Sequence, residues 1–190
     1  MLVRALNFAA FAVISAALAS PSVAKCRMHD PDLSVAGITL LDNESAARVL
    51  GSGLELKGGE EDLPYAAFVS RDGKQALVVF SHYGAVLDEY AEVEVRAAGS
   101  EALVLKDLPV DVFKTARGVE MGLSADAIIS LFGSCYKARE ASENGEIIQY
   151  EIKREQMDPA LLAHGQDAYF AEYEFASGKL VRFRFGFESP

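Results

Sequence analysis

Apolar and charged residues alternate most cleanly near the end of the chain. Tyr169, Ala171, Tyr173 and Phe175 alternate with Phe170, Glu172 and Glu174, and Val181, Phe183, Phe185 and Phe187 alternate with Arg182, Arg184 and Gly186. A period of two marks a strand with one buried face, and Ser177-Gly178 between the runs marks a turn. A three-residue turn sets Glu174 opposite Arg182 and Glu172 opposite Arg184. The pattern predicts a hairpin with ion pairs on a solvated face and aromatic residues on the other. A second hairpin is predicted from Tyr65 to Phe80 about Asp72-Gly73. Further strand-like stretches run from Tyr90 to Arg96, from Ala102 to Leu105, and from Ile147 to Lys153 after an Asn144-Gly145 turn.

Two short stretches carry helical periodicity instead. Ala46, Val49 and Leu50 form one apolar stripe, and Ile128, Leu131 and Phe132 form another. Asp42 or Asn43 caps the first helix and Ser124 the second; Gly51 and Gly133 end them in a left-handed conformation. A third, shorter helix is expected with Asp158 as cap, Pro159 at its first position and Gly165 beyond its end. The segments Gly37 to Gly51 and Gly118 to Gly133 resemble each other, and each is followed by a predicted hairpin. The chain therefore reads as α+β, two similar units at 25–107 and 108–190, each a short helix region packed on an antiparallel sheet. The second unit carries an insertion between helix and hairpin.

Gly118-Val119, Met121-Gly122-Leu123-Ser124 and Ile128 to Gly133, led in by Phe113 to Arg117, resemble the small α+β module of bacterial envelope proteins. That group includes the assembly lipoproteins of the SmpA/OmlA type and, as tandem copies, the β-lactamase inhibitor proteins. The first unit departs from the pattern, with Leu41 in place of the second glycine. The resemblance implies a role in binding proteins and carries over no catalytic residue.

Residues 1–24 change the picture by giving an address. Arg4 is their only charge, an apolar run extends from Ala5 to Ala19, and Ser22-Val23-Ala24 suits cleavage before Lys25. The run is shorter than the roughly 20 residues that span a bilayer, so a signal peptide is expected, with no stable membrane insertion after its removal and a periplasmic or secreted product. In an oxidising compartment Cys26 and Cys135 are expected to pair, closing a loop of about a hundred residues worth about 3–5 kcal/mol. The formal charge of −10 argues against nucleic acid as a partner.

The search for catalysis yields little. His29 lies in a terminal loop with Asp30 and Asp32, too few donors for a metal, and His164 sits at a helix end. His82 follows a predicted strand, and the adjacent Ser81 makes no nucleophile–base pair. Asp88, Glu89, Glu92 and Glu94 read as a solvated, charged strand edge. No cofactor and no metal is expected. The leading reading is a non-catalytic module that binds an envelope or secreted protein through its outward sheet faces and the loops around Tyr65 and His82-Tyr83. Tyr65, His82, Tyr83 and Tyr136 are the candidate anchors. The alternatives are a small-ligand-binding protein with an apolar pocket between sheet and helices, and a hydrolase of unrecognised type.

Overall fold

The computed structural model describes residues 28–58, 63–82, 84–99, 106–142 and 145–188. The expected signal at 1–24, Cys26, Tyr83 and the stretch from Ala102 to Leu105 lie outside the described residues. The protein is α+β, mostly one large mixed sheet with few helices.

The first elements among the described residues are a small antiparallel pair, β1 (Ser34–Val35) and β2 (Ile38–Thr39), turned by Ala36 and Gly37 at φ 51° and 85°. Two successive positive φ values suit a tight hairpin turn. Helix α1 (Asn43–Leu50) follows, and of its two cap candidates Asp42 is the one used: its carboxylate accepts from the N–H groups of Glu44 and Ser45 at 3.0 and 3.2 Å. Helix α2 (Ala125–Phe132) begins at Ser124, whose Oγ accepts from the Ala127 N–H at 3.3 Å. Gly51 and Gly133 end the helices at φ 87° and 84°, but with ψ of 156° and 173°. That is the extended positive-φ region open in practice to glycine alone, rather than the αL conformation expected. The short α3 (Pro159–Leu162) stands where expected, capped by Asp158.

The strands are β3 (Tyr65–Val69), β4 (Gln75–Phe80), β5 (Glu92–Ala97), β6 (Lys106–Asp107), β7 (Ala138–Ser142), β8 (Gly145–Lys153), β9 (Ala168–Ala176) and β10 (Lys179–Phe187). Their order is β6-β3-β4-β5-β10-β9-β8-β7, antiparallel except for β3 beside β6. The strands after α1 and those after α2 are therefore one sheet, joined where β5 pairs with β10. Strand β7 was absent from the sequence reading, because Ala138 to Ser142 carries no apolar alternation.

The register of β10 on β9 sets Arg182 against Glu174 and Arg184 against Glu172, as expected, but by another device. The turn holds two residues, Ser177 and Gly178, at φ 50° and 74°; a bulge between Leu180 and Arg182 then absorbs Val181. A tight turn plus one extra residue gives the same pairing as the three-residue turn, with added twist.

One face of the sheet carries Phe68, Leu77, Val79, Val93, Val95, Phe183, Phe185, Tyr173 and Ile148, all buried. The helix stripes join the same cluster through Ala46, Leu50, Ile128 and Phe132, and Phe132 stacks on Tyr173 at 5.6 Å between centroids. Gly186 is where β10 lies against β5, opposite Glu92. A Cβ there would meet the Ala91 carbonyl oxygen and come within 2.6 Å of the Glu92 Cα. Gly186→Ala is therefore expected to lower stability by about 1–3 kcal/mol through overpacking, read as a shift of the denaturant midpoint. An unchanged midpoint would contradict this close approach.

Candidate functional site

The outer face of the sheet, opposite the aromatic core face, carries the charge. Across its middle, Arg182 of β10 donates to Glu172 of β9 at 2.7 Å and to Glu94 of β5 at 2.8 Å, with Glu174 at 3.7 Å. Arg96 adds a second cation to Glu94 at 3.4 Å. Burial works to lower the Arg182 guanidinium, but the Glu94 and Glu172 carboxylates outweigh it and raise it.

Arg184 behaves differently from the sequence expectation. Its Cα partner is Glu172, but its guanidinium crosses the sheet the other way and binds Glu92 of β5. There it lies between two rings, 5.1 Å from the Phe80 centroid and 5.5 Å from that of Phe170. Such placement adds cation–π attraction to the ion pair. Tyr65 packs beside Phe80 at 6.2 Å. The result is a row of Tyr65, Phe80, Arg184 and Phe170 laid across the sheet from β3 to β9.

Glu92 and Glu94 correct the reading of a solvated strand edge. Their side chains are 5% and 7% exposed, because β5 is a central strand between β4 and β10 and arginines bind both carboxylates. Asp88 is likewise structural: its carboxylate accepts from the Gly53 N–H at 3.0 Å.

The other expected site residues fall in several places. His82 is half-buried, its Nε2 3.1 Å from the Phe187 carbonyl oxygen, which ties the β4–β5 connection to the end of β10. Tyr136 is half-buried just before β7, edge-on to Tyr150 at 6.3 Å. Tyr65 and Tyr136 thus stand toward the two opposite edges of the sheet. Neither Phe170 nor Arg184 is among the anchors expected from sequence; the alternation showed which face they share, but not that a distant strand would bring Phe80 beside them.

Two adjoining depressions, of about 190 and 270 Å³, share Lys137 and Glu151, which form an ion pair at 2.5 Å. The Lys137 ammonium holds the Glu151 carboxyl below its usual range, against a smaller effect of burial. Among the described residues no group of three or more His, Cys, Asp or Glu is arranged to hold a metal ion, and no helix is long and apolar enough to cross a membrane.

Beneath the core face lies a polar cluster. Asp32, expected in an open terminal loop, is 1% exposed. Its Oδ1 accepts from the Arg117 N–H at 2.9 Å and its carbonyl from the Tyr169 hydroxyl at 2.8 Å, while Oδ2 and the Tyr173 hydroxyl are buried without a partner among the described residues. Burial raises the Asp32 carboxyl above 3.8, against the lowering effects of Thr115 and Arg117.

No family model matches this sequence, and no curated protein or solved structure is similar enough to match it.

The raised Asp32 pKa fixes a sign. An acid that binds its proton more tightly when folded stabilises below its unfolded value, near 3.8, and loses that contribution as pH rises through the folded value. Stability of Asp32→Asn relative to the unsubstituted chain is thus expected to be more favourable at pH 7 than at pH near 3.5. Parallel denaturation curves across that range check it, and a difference independent of pH would refute it.

Proposed function

We propose that the chain is exported and acts as a non-catalytic protein-binding module of the bacterial envelope. The observation that carries this reading is the row of Tyr65, Phe80, Arg184 and Phe170 on the outer face. Tyrosine and arginine dominate the energetics of protein interfaces, and here ion pairs and ring contacts already fix the arginine, so little order remains to be imposed on binding. The resemblance to envelope modules of the SmpA/OmlA and β-lactamase-inhibitor type points the same way.

The reading of two similar units has its own support. Gly37 and Gly118 both turn at positive φ, 85° and 90°, and four residues on Leu41 and Gly122 do so again, at 57° and 91°. Leu41, which breaks the glycine pattern, nevertheless keeps a positive φ, as Gly122 does. The Leu41 N–H donates to the Tyr90 carbonyl at 2.9 Å and the Gly122 N–H to the Leu180 carbonyl at 2.8 Å. The step from Tyr90 to Leu180 also carries Glu94 onto Arg184, and those two face each other across β5 and β10. On this alignment β3-β4-β5 corresponds to β8-β9-β10 about a local twofold at that pair. The sequence reading had matched the first hairpin to the last.

The Cys26–Cys135 bridge belongs to the same proposal. The described residues include no free cysteine. The His29 N–H donates to the Phe132 carbonyl at 3.0 Å and the His29 ring lies over Gly133, bringing the chain just after Cys26 beside the residues just before Cys135. Peptide mapping without reductant is expected to recover the linked pair, and Cys135→Ser to lower stability by about 2–5 kcal/mol. Two separate thiols would remove the bridge.

For function, crosslinking pull-down of the tagged chain from its own envelope fraction is expected to give one saturable protein partner. Tyr65→Ala and Phe170→Ala should each weaken it by about tenfold or more. Unchanged affinity in both variants would remove the outer face from the binding surface.

A further inference from the structure

The large apolar side chains that stand exposed among the described residues include Val86 at 60%, Leu87 at 67% and Leu162 at 39%. All three belong to segments at one end of the sheet. Val86 and Leu87 lie in the connection from β4 to β5, which His82 ties to Phe187, the last residue of β10. Leu162 ends α3, and two residues later the His164 ring packs on the Phe187 ring at 5.3 Å.

The segment bearing Val86 and Leu87 is fastened at its base. The Ser81 N–H donates to the Pro64 carbonyl at 2.8 Å and the Ser81 hydroxyl to the Glu89 carbonyl at 2.9 Å. Asp88 holds the Gly53 N–H from a left-handed backbone at φ 63°, a conformation that aspartate adopts more readily than most residues. Long-range hydrogen bonds thus hold the base of a tip whose two apolar side chains gain no burial from it. Prior order of this kind reduces the cost of association.

The charge around the tip narrows its occupant. Asp88 and Glu89 follow it in sequence, and exposed Asp167 and Glu188 stand beside Phe187 at the start of β9 and the end of β10. Arg154 pairs with Asp167 at 3.0 Å. An anionic bilayer would repel this rim in a chain of charge −10. We infer that Val86 and Leu87, with Leu162 at the same end of the sheet, form an apolar plug that seats in a pocket of the partner protein rimmed by lysine or arginine. The inference rests on the protein-binding reading and adds to it the seat and the chemistry of the partner's surface.

The test places a photocrosslinking residue at Leu87, at Phe170 on the outer face, and at Val112 near the opposite end of the sheet, each in the full chain in its own cells. The Leu87 probe is expected to join one protein at an apolar peptide flanked by Lys or Arg, and the Val112 probe is not. With that protein purified, Val86→Ser with Leu87→Ser should weaken binding by about tenfold, and Glu89→Lys with Glu188→Lys by several-fold, an effect that fades in high salt. Val86 and Leu87 are exposed, so their substitution leaves the fold intact. Capture from Phe170 but not Leu87 overturns the plug and leaves the binding module standing. Adducts at acidic or polar peptides overturn it too, as does sedimentation of the chain with phosphatidylcholine or phosphatidylglycerol vesicles that is lost on Leu87→Ser. Absence of a protein adduct from all three positions removes both readings.

Discussion

The pairing of β5 with β10 is the contact on which the rest of the molecule depends. It joins residues about ninety positions apart, Val95 with Phe183 and Val93 with Phe185, and so carries a loop-closure cost before it returns any burial. Without it there are two separate strand groups, each with an open central edge. With it, the aromatic faces of β9 and β10 continue into the valines of β4 and β5 as a single core cluster. The same pairing brings the acids of one strand beneath the arginines of the other, so Glu92 and Glu94 can be buried because Arg182 and Arg184 arrive with them.

Local structure was legible in the sequence wherever a short-range signal specifies it. The caps at Ser124 and Asp158, a cap at Asp42 or its neighbour Asn43, the turns at Gly73 and Gly178, and the core face of the last hairpin follow from residues within a few positions of one another. What was not legible depended on distant partners. The acids of β5 read as a charged edge because nothing nearby reveals which strand lies beside them. Asp32 read as a loop residue because its burial comes from Thr115, Arg117 and Tyr169, far along the chain. Tyr136 and His82 were chosen as polar aromatic residues next to strands, and each makes a contact that organises the fold: a ring in one case, a main-chain carbonyl in the other.

The outer face combines two kinds of order. At its centre, ion pairs link three strands, and their net contribution to stability is small once desolvation is counted. What they supply is orientation, because a guanidinium held by carboxylates and rings has few other places to go. At one end, apolar residues project without cover. A rigid charged platform bordered by exposed aliphatic side chains is the reverse of a surface arranged for solubility alone, on which such side chains are scattered singly.

The bulge at Val181 has a consequence for how this chain can change. It sets the parity of β10: with it, Phe183 and Phe185 point inward and Arg182 and Arg184 outward. Loss or gain of one residue between Ala176 and Arg182 would exchange the two faces, placing guanidinium groups among the phenylalanines and emptying Glu92 and Glu94 of their counter-charges. Length variation at this hairpin is thereby confined to steps of two residues, or to one-residue changes that also create or erase the bulge. The last nine-residue strand acts as a key cut to a single depth, and the loop before it, although exposed, is among the segments least free to drift.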